Sequence, residues 1–558
     1  MKRWIVKNPK EGPEIDRIPG PIVQILSNRG YQTEAEITRF LYPSLTQLND
    51  PFLFQDMEKA IDRIQMAIRN REPILIFGDY DVDGVTGTAL LTKILSQLGG
   101  KPVYYLPHRI REGYGFSRLG VDYALSCGAR LIVTVDCGIT GHDALRYAQH
   151  QKIDVIVCDH HTATVSPTAF AVLDPKVDPG YPYPELSGCG VAFKLAQGLY
   201  IKEKRPIEEL YQYLDLVAIA TIADVCPLNG ENRVITHFGL ELLNRTRNLG
   251  LKKLIEVANL QKEITSYHVG FIIGPRINAA GRIAEAKKGI KLLLTDDEKE
   301  AELLASELNR INQDRKDIED QILNEAKMVI EAEGIPDRVI VLARDGWHEG
   351  VIGIVASRLT DEYYRPAFLI SLTEERGKGS ARGIAGFDVF GALTAAAPVL
   401  DEFGGHREAG GFSLKREKIC RLKELLEDYA RSFPAEIFQP RLFIDTEIEL
   451  GEINSSLLDY LERFEPTGTG NPSPTFLTRA VTLVGYPRVV GSDHLRFAVI
   501  KNNHHQQAIY FGHGALIERL EVGRSQLDIV YTVVADPVAA RKRPILKIKD
   551  LRIRDVGE

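Results

Sequence analysis

The chain has 558 residues, of which 44% are hydrophobic and 26% charged, enough for an ordinary globular protein of roughly three or four domains. A net charge of −7 excludes a globally basic nucleic-acid binder, so any DNA contact must come from local patches. No apolar run reaches the length of a membrane span, the N-terminus MKRWIVKNPKEG lacks a signal-peptide core, and the six cysteines include no CxxC pair, which together predict a cytoplasmic protein with reduced, buried thiols.

Residues 1–47 are polar and proline-punctuated, with a short helical pattern around 34–41, and are expected to form a leader packed on the first domain. From about 55 to 295 strands and helices alternate. The pattern gives helix 57–70, strand 74–79, helix 85–98, strand 103–107, helix 119–127, strand 131–136, helix 141–150 and strand 154–159. Such alternation predicts a doubly wound parallel α/β sheet, in a first domain spanning 48–295. Helices near 189–202 and 213–222 follow, the second ending in Ala223-Asp224-Val225.

Residues 296–335 read as one connecting helix with an apolar stripe of Leu304, Leu308, Ile311, Ile318, Ile322 and Val329, interrupted by Arg315. The stripe covers too few heptads to favour a coiled coil. A smaller α/β domain is expected over 336–433, with strand 338–343, helix 351–363 and strand 366–372. Gly379-Ser380-Ala381-Arg382-Gly383 comes next, then a glycine-rich loop at Gly404-Gly405-His406. Segment 434–440 reads as a linker. Residues 441–558 show short alternating strands with turn signals, the pattern of a small β-barrel such as an OB-fold. Its RKRPILKIK stretch (541–549) suits either a solvated hairpin or a groove that tracks phosphates.

The chemistry gathers at strand ends. ILIF (74–77) runs into Gly78-Asp79-Tyr80-Asp81-Val82-Asp83-Gly84, LIVTV (131–135) into Asp136-Cys137-Gly138, and VIVC (155–158) into Asp159-His160-His161. Ligands bind beyond the carboxyl ends of strands in open α/β sheets. One Asp-rich turn alone would ordinarily be a helix cap. Three acid-bearing strand ends at one edge predict a metal-dependent enzyme, with Asp224 a fourth contributor. On an extended segment Asp81 and Asp83 share a side, with Asp79 at the same parity. Carboxylates with imidazole suit Mg²⁺ or Mn²⁺, the imidazole favouring Mn²⁺. The surplus of ligands suggests a pair of ions ~3.5–4 Å apart, as in phosphoester hydrolases. Cys137, Cys158 and Cys226 adjoin these residues and are expected to turn into the core. A phosphoester also needs cations and backbone donors. Candidates are His108, Arg109, Arg276, Asn278, Arg282, Ser380, Arg382 and the loop Gly404, Gly405 and His406, most of them beside glycines.

GDYDVDG, LPHRIREGYG, VDCG, CDHH, IADVCPL and GPRINAAGR occur in this order, followed by GWHEGVIGIVASRL, GSARG and GGHREAGG. This series resembles the DHH/DHHA1 phosphoesterase superfamily and, within it, the RecJ family of bacterial single-strand DNA exonucleases, whose C-terminal OB domain the last segment is similar to. The chain departs from the usual pattern at GGHREAGG and at Gly383, where serine is common. The resemblance implies 5′-to-3′ hydrolysis of single-stranded DNA to mononucleotides with two Mn²⁺ or Mg²⁺ ions, in recombination and repair. It implies a single-strand-binding protein and a RecQ-type helicase as partners. By motif match the metal ligands are Asp81, Asp83, Asp136, His160 and Asp224, with Asp79 and His161 close by. The DHHA1 arginines and glycine-rich loop would hold the substrate. A phosphodiesterase acting on short oligonucleotides or cyclic dinucleotides is the alternative, and residues 441–558 argue against it. A non-catalytic DNA-binding scaffold is a third reading, and the retained ligands argue against that.

Overall fold

A computed structural model describes residues 2–109, 112–163, 165, 167–536 and 542–554. Five parallel strands form the first sheet, in the order Lys101–Tyr105, Pro73–Gly78, Leu131–Val135, Asp154–Cys158, Ala171–Leu173. The chain order reverses beside Pro73–Gly78, which lies between the second and third strands. That reversal opens a crevice at the carboxyl edge, the topological switch point of such sheets. The central strands are buried on both faces, as helix-covered parallel strands must be. Helices that carry no motif (Gly230–Leu243, Leu249–Val257 and Lys287–Leu294) complete this unit.

Two glycines let helix N-termini press onto the crevice. A Cβ on Gly84 would lie 2.4 Å from the Asp79 carbonyl oxygen, and one on Gly188 would lie 2.6 Å from Asp136 Cβ. Larger residues would push the helices Val82–Gln97 and Gly188–Lys202 off the strand ends.

The connecting helix runs Glu298–Glu333, about 54 Å at 1.5 Å per residue. Ala301, Leu304, Ala305 and Leu308 join the core of the first unit, while Ile322, Leu323, Ala326 and Ile330 join the core of the second. The apolar stripe is therefore covered within the chain. Arg315 sits at the changeover, buried, with its guanidinium 2.6 Å from Glu319 and hydrogen-bonded to Asn312. Pairing is what permits a buried cation between two apolar stretches.

The second sheet is mixed, in the order Leu400–Gly405, Ala409–Lys415, Arg376–Arg382, Ala367–Leu372, Ile340–Asp345. The glycine-rich loop expected at Gly404-Gly405-His406 is strand up to Gly405: Gly404 pairs with Gly411 and Gly405 with Gly410. Glycine serves packing here, since a Cβ on Gly379 would meet the Phe412 ring at 2.1 Å. The expected linker contains a short helical turn, Ala435–Phe438, with Ile437 and Phe438 buried.

At the C-terminus, Phe476–Val490, His494–Lys501, His504–Tyr510, Pro544–Arg554 and Gln526–Ala535 close into a barrel, because Phe476–Val490 also pairs with Gln526–Ala535. Residues 2–47 pack chiefly here and touch the first unit more lightly, through Leu45 and through the Phe40 carbonyl, which accepts from Arg233. Arg3–Val6 pairs with Arg441–Ile444, and Ile22, Ile25, Leu26, Ile37 and Phe40 share the barrel's core. An amphipathic helix (Glu34–Leu41) must bury its apolar face somewhere, and the sheet of the first unit is already covered. Within 541–549, Lys542 is taken up by Asp459 and Glu462, and Lys547 lies over Phe511. Arg541 falls outside the described residues.

Candidate metal centre

The strand ends deliver their acids to one crevice. Asp81 and Asp83 are not on an extended segment. Asp81 caps the helix Val82–Gln97, accepting from Asp83 N and Gly84 N, and Asp83 lies in its first turn. Asp83 is then fixed from the opposite side: Gly188 N and Cys189 N each donate to it at 2.7 Å. Asp136 takes a left-handed backbone, φ 61°, a conformation aspartate tolerates better than most residues.

His160 joins the acids. Its Nε2 is 3.1 Å from Asp136, 3.6 Å from Asp224 and 3.7 Å from Asp83. Burial lowers its pKa, which leaves a neutral ring able to bind a cation. Asp159 faces away from this group. It accepts from Ile139 N at 2.9 Å and from the backbone amides of His160 and His161, and it holds His161 Nδ1 at 2.7 Å. It is a positioning residue for both histidines. Against desolvation, the Asp159 contact raises His161 to about 9.

Burial, then mutual repulsion, pushes Asp83 up to about 7 and Asp136 well above the carboxylate range. Burial and the Asp81 charge do the same to Asp79, whose Oδ1 has no hydrogen-bond partner among the described residues. Buried carboxylates that repel one another and keep an orphaned oxygen fit a divalent cation. Asp79, Asp81 and Asp136 offer atoms within 4.8 Å of one another, as do Asp136, His160 and His161.

Three residues of this site were not singled out as site residues in the sequence. Tyr114 places its hydroxyl 3.1 Å from the His161 ring nitrogens. Asp174 follows the fifth strand, buried, with its pKa raised to about 7 by desolvation. The pattern AVLDP, an apolar run ended by an acid, could have revealed it. Cys226, expected to turn away, instead donates to Asp224 at 3.3 Å. Cys137 and Cys158 are buried as expected, whereas Cys420 is exposed.

The expected substrate residues divide. Arg109, Arg282 and Arg382 converge: burial and then the charges of Arg109 and Arg382 push Arg282 down to about 10, and burial followed by Arg109 lowers Arg382. Arg382 donates to Ser380 Oγ and the Ala381 carbonyl, Arg282 donates to the Gly350 carbonyl, and Arg109 lies over the Tyr80 ring. None of these partners is an acid. His108 lines a cavity of about 210 Å³ with Arg109, Tyr80 and Gly281. Asn278 accepts from Val82 N and so serves the helix end. Arg276 points elsewhere, held by Asn309 and the Ile272 carbonyl. Gly404, Gly405 and His406 are exposed on the outer hairpin.

Residues 73–221 match the DHH family N-terminal domain, 337–432 the DHHA1 domain and 444–550 the RecJ OB domain. The single-stranded-DNA-specific exonuclease RecJ of Bacillus subtilis is 36% identical over 99% of this chain and 71% of its own length. The chain belongs to the RecJ family. The crystal structure of Thermus thermophilus RecJ in complex with Mn²⁺ superposes with a TM-score of 0.83 at 30% identity, covering 99% of this chain and 80% of that one. The same protein in complex with Mg²⁺ gives 0.77 at 29% identity, covering 99% and 79%. The RecJ-family neighbours thus hold the ions that the carboxylate and imidazole donors suit. No helix among the described residues is long and apolar enough to cross a membrane.

Proposed function

We propose that the chain hydrolyses single-stranded DNA from the 5′ end, releasing mononucleotides. One observation carries this reading: a pocket of three mutually repelling arginines adjoins the acidic cluster. Asp81 draws on Arg282, and Arg109 on Asp79, closely enough for each charge to shift the other group. Guanidinium forks with no acid partner among the described residues suit a terminal phosphate, and Ser380 adds a hydroxyl. A strand whose end is held there would present its next phosphodiester to the acids. The 5′ polarity and the release of one nucleotide per turnover rest on the family resemblance.

Asp79, Asp81, Asp83, Asp136, His160 and Asp224 would hold two Mn²⁺ or Mg²⁺ ions. Bound there, the ions supply a hydroxide nucleophile and neutralise charge on the reacting phosphate. Asp159 keeps the two histidines in place, and His161 retains a proton at the rim.

A single strand rather than a duplex is supported by a second feature. Tyr267, in the short helical turn Ser266–His268, and Phe271, in the π-helical turn Val269–Ile273 that follows, are 61% and 67% exposed and stack with centroids 4.9 Å apart. The π-helical turn and Gly274, which follows it, lie against Ile222 and Ala223, just before Asp224. Exposed aromatic faces hold unpaired bases. We place the protein in the cytoplasm with a single-strand-binding protein and a RecQ-type helicase, which expose and protect such strands.

The test uses 5′- and 3′-labelled single strands and a blunt duplex with Mn²⁺. Immediate release of labelled mononucleotide from the 5′ label alone, with the duplex resistant, is expected. Stepwise shortening from the 3′ end would overturn the reading.

A further inference from the structure

The helix Leu214–Ala223 ends with a backbone turn in which Cys226 N donates to the Thr221 carbonyl and Val225 N to the Ile222 carbonyl. This is the Schellman pattern, which needs a left-handed residue one place after the cap. Glycine usually fills that place. Here it is Val225, φ 59° and 63% exposed, a β-branched residue where left-handed backbone is costly. The turn brings Cys226 back beneath Asp224, buried, with Sγ 3.3 Å from Asp224 Oδ2. The same oxygen is 3.6 Å from His160 Nε2, and the three donors lie within 4.8 Å of one another.

Those separations carry chemical information. Zinc bonds of ~2.0–2.3 Å to oxygen, nitrogen and sulfur give tetrahedral ligand edges of roughly 3.3–3.8 Å. The Cys226–Asp224 and Asp224–His160 separations fall in that range before any ion is bound. Thiolate prefers Zn²⁺, Co²⁺ or Cd²⁺ to Mg²⁺ or Mn²⁺.

We infer that His160, Asp224 and Cys226 form a three-ligand subsite for thiophilic divalent ions at one end of the metal centre. The inference rests on the metal-centre reading, since two of its ligands are shared. On binding, the Cys226 thiol proton leaves to solvent and a sulfur–metal bond forms; nothing is oxidised. A thiophilic ion seated there takes His160 and Asp224 out of the hard-ion site, so Zn²⁺ and Cd²⁺ act as competitors of Mn²⁺.

The test uses the metal-free 558-residue chain, with Co²⁺, Cd²⁺ and Mn²⁺ as separate probes and Cys226→Ser and Cys226→Ala as variants. Wild type is expected to show a thiolate-to-cobalt charge-transfer band in the near ultraviolet. Both variants should lose it, and their Cd²⁺ affinity should fall at least ~10-fold, while Mn²⁺ binding by electron paramagnetic resonance persists. Persistent Mn²⁺ binding also reports that each variant folds. A wild type that binds Mn²⁺ but shows no thiolate band overturns the subsite and leaves the metal centre standing. A band that survives in both variants places the thiolate elsewhere and also overturns it. Failure of wild type to bind Mn²⁺ removes the metal-centre reading, and the subsite with it.

Discussion

The acidic cluster and the arginine pocket stand side by side but are assembled differently. Every acid in the cluster comes from the first α/β unit, and the supports of Asp83 and Asp159 are amides of that same unit. The pocket instead straddles two units: Arg109 and Arg282 come from the first, Ser380 and Arg382 from the second. Its supports are carbonyl oxygens and an aromatic face, and one of them, Arg282 to the Gly350 carbonyl, crosses between the units. Metal binding should therefore be intrinsic to one rigid unit, whereas recognition of the strand end should depend on how the two units meet along the helix Glu298–Glu333.

The largest effect should come from the cluster. Asp136→Asn keeps a residue that accepts left-handed backbone and removes the charge. Hydrolysis should fall about 10³-fold, as when a group stabilising developing charge is lost, with single-strand binding largely intact. Asp136→Ala should lose the same activity and a further ~1–2 kcal/mol of stability from the φ of 61°. An active, normally folded Asp136→Asn would break the assignment of the acids.

The cluster also predicts a pH signature. Burial first, then neighbouring carboxylates, hold Asp83 near 7 and Asp224 near 6 in the folded protein, against 3.8 unperturbed. Between those values the folded metal-free chain keeps protons that the unfolded chain has released. Its stability is thus greatest at the acid end of this window and falls as pH rises to 7. Mn²⁺ affinity should rise over the same window, because the ligands must ionise. Thermal melts in chelator at pH 5 and pH 7.5 check this. A metal-free midpoint that climbs with pH would contradict the burial of these acids.

Next comes the pocket. Arg382→Ala removes a charge-assisted contact worth roughly 1.5–3 kcal/mol, so preference for a 5′-phosphate over a 5′-hydroxyl should drop by one to two decades in kcat/KM. Gly350→Ala should act in the same direction without touching a charge, since its Cβ would sit 2.5 Å from the Arg282 carbonyl oxygen. Both variants should bind Mn²⁺ as wild type does. If Gly350→Ala weakens Mn²⁺ binding as much as it weakens end preference, the two sites are not separately built.

The contrast explains what was legible in the sequence. Parallel strands with acids at their ends announce themselves, because apolar runs and the residue that stops them are contiguous. Asp79, Asp136 and His160 were visible for that reason. The pocket is made by residues far apart in the chain, so only residue type and neighbouring glycines pointed to it. Glycine was an ambiguous guide: Gly350 and Gly281 do permit close approach between elements, while Gly379 makes room for Phe412 and Gly404 sits in an outer strand. The packing of residues 1–47 was invisible, because an amphipathic helix declares that it has a buried face but not which core receives it. Asp81 and Asp83 were assigned strand parity, and the helix starts too early for that.

Arg276 provides the smallest and sharpest test. The sequence places it with Arg282, in GPRINAAGR, six residues away. On an α-helix six residues are about 600°, so the two side chains leave on different faces, whereas Asn278 and Arg282, four apart, share one. The structure follows this geometry: Asn278 reaches Val82 N and Arg282 reaches Gly350, while Arg276 is spent on Asn309 of the connecting helix and on the Ile272 carbonyl. Burial alone lowers its pKa, with no contribution from the pocket arginines. Arg276→Ala should therefore leave the 5′-phosphate preference within about twofold of wild type and cost only ~1 kcal/mol of stability, the worth of its lost hydrogen bonds. End preference and thermal midpoint, measured together with Arg382→Ala, separate the two roles. A loss of preference equal to that of Arg382→Ala would return Arg276 to the pocket and require its helix to turn when the strand binds.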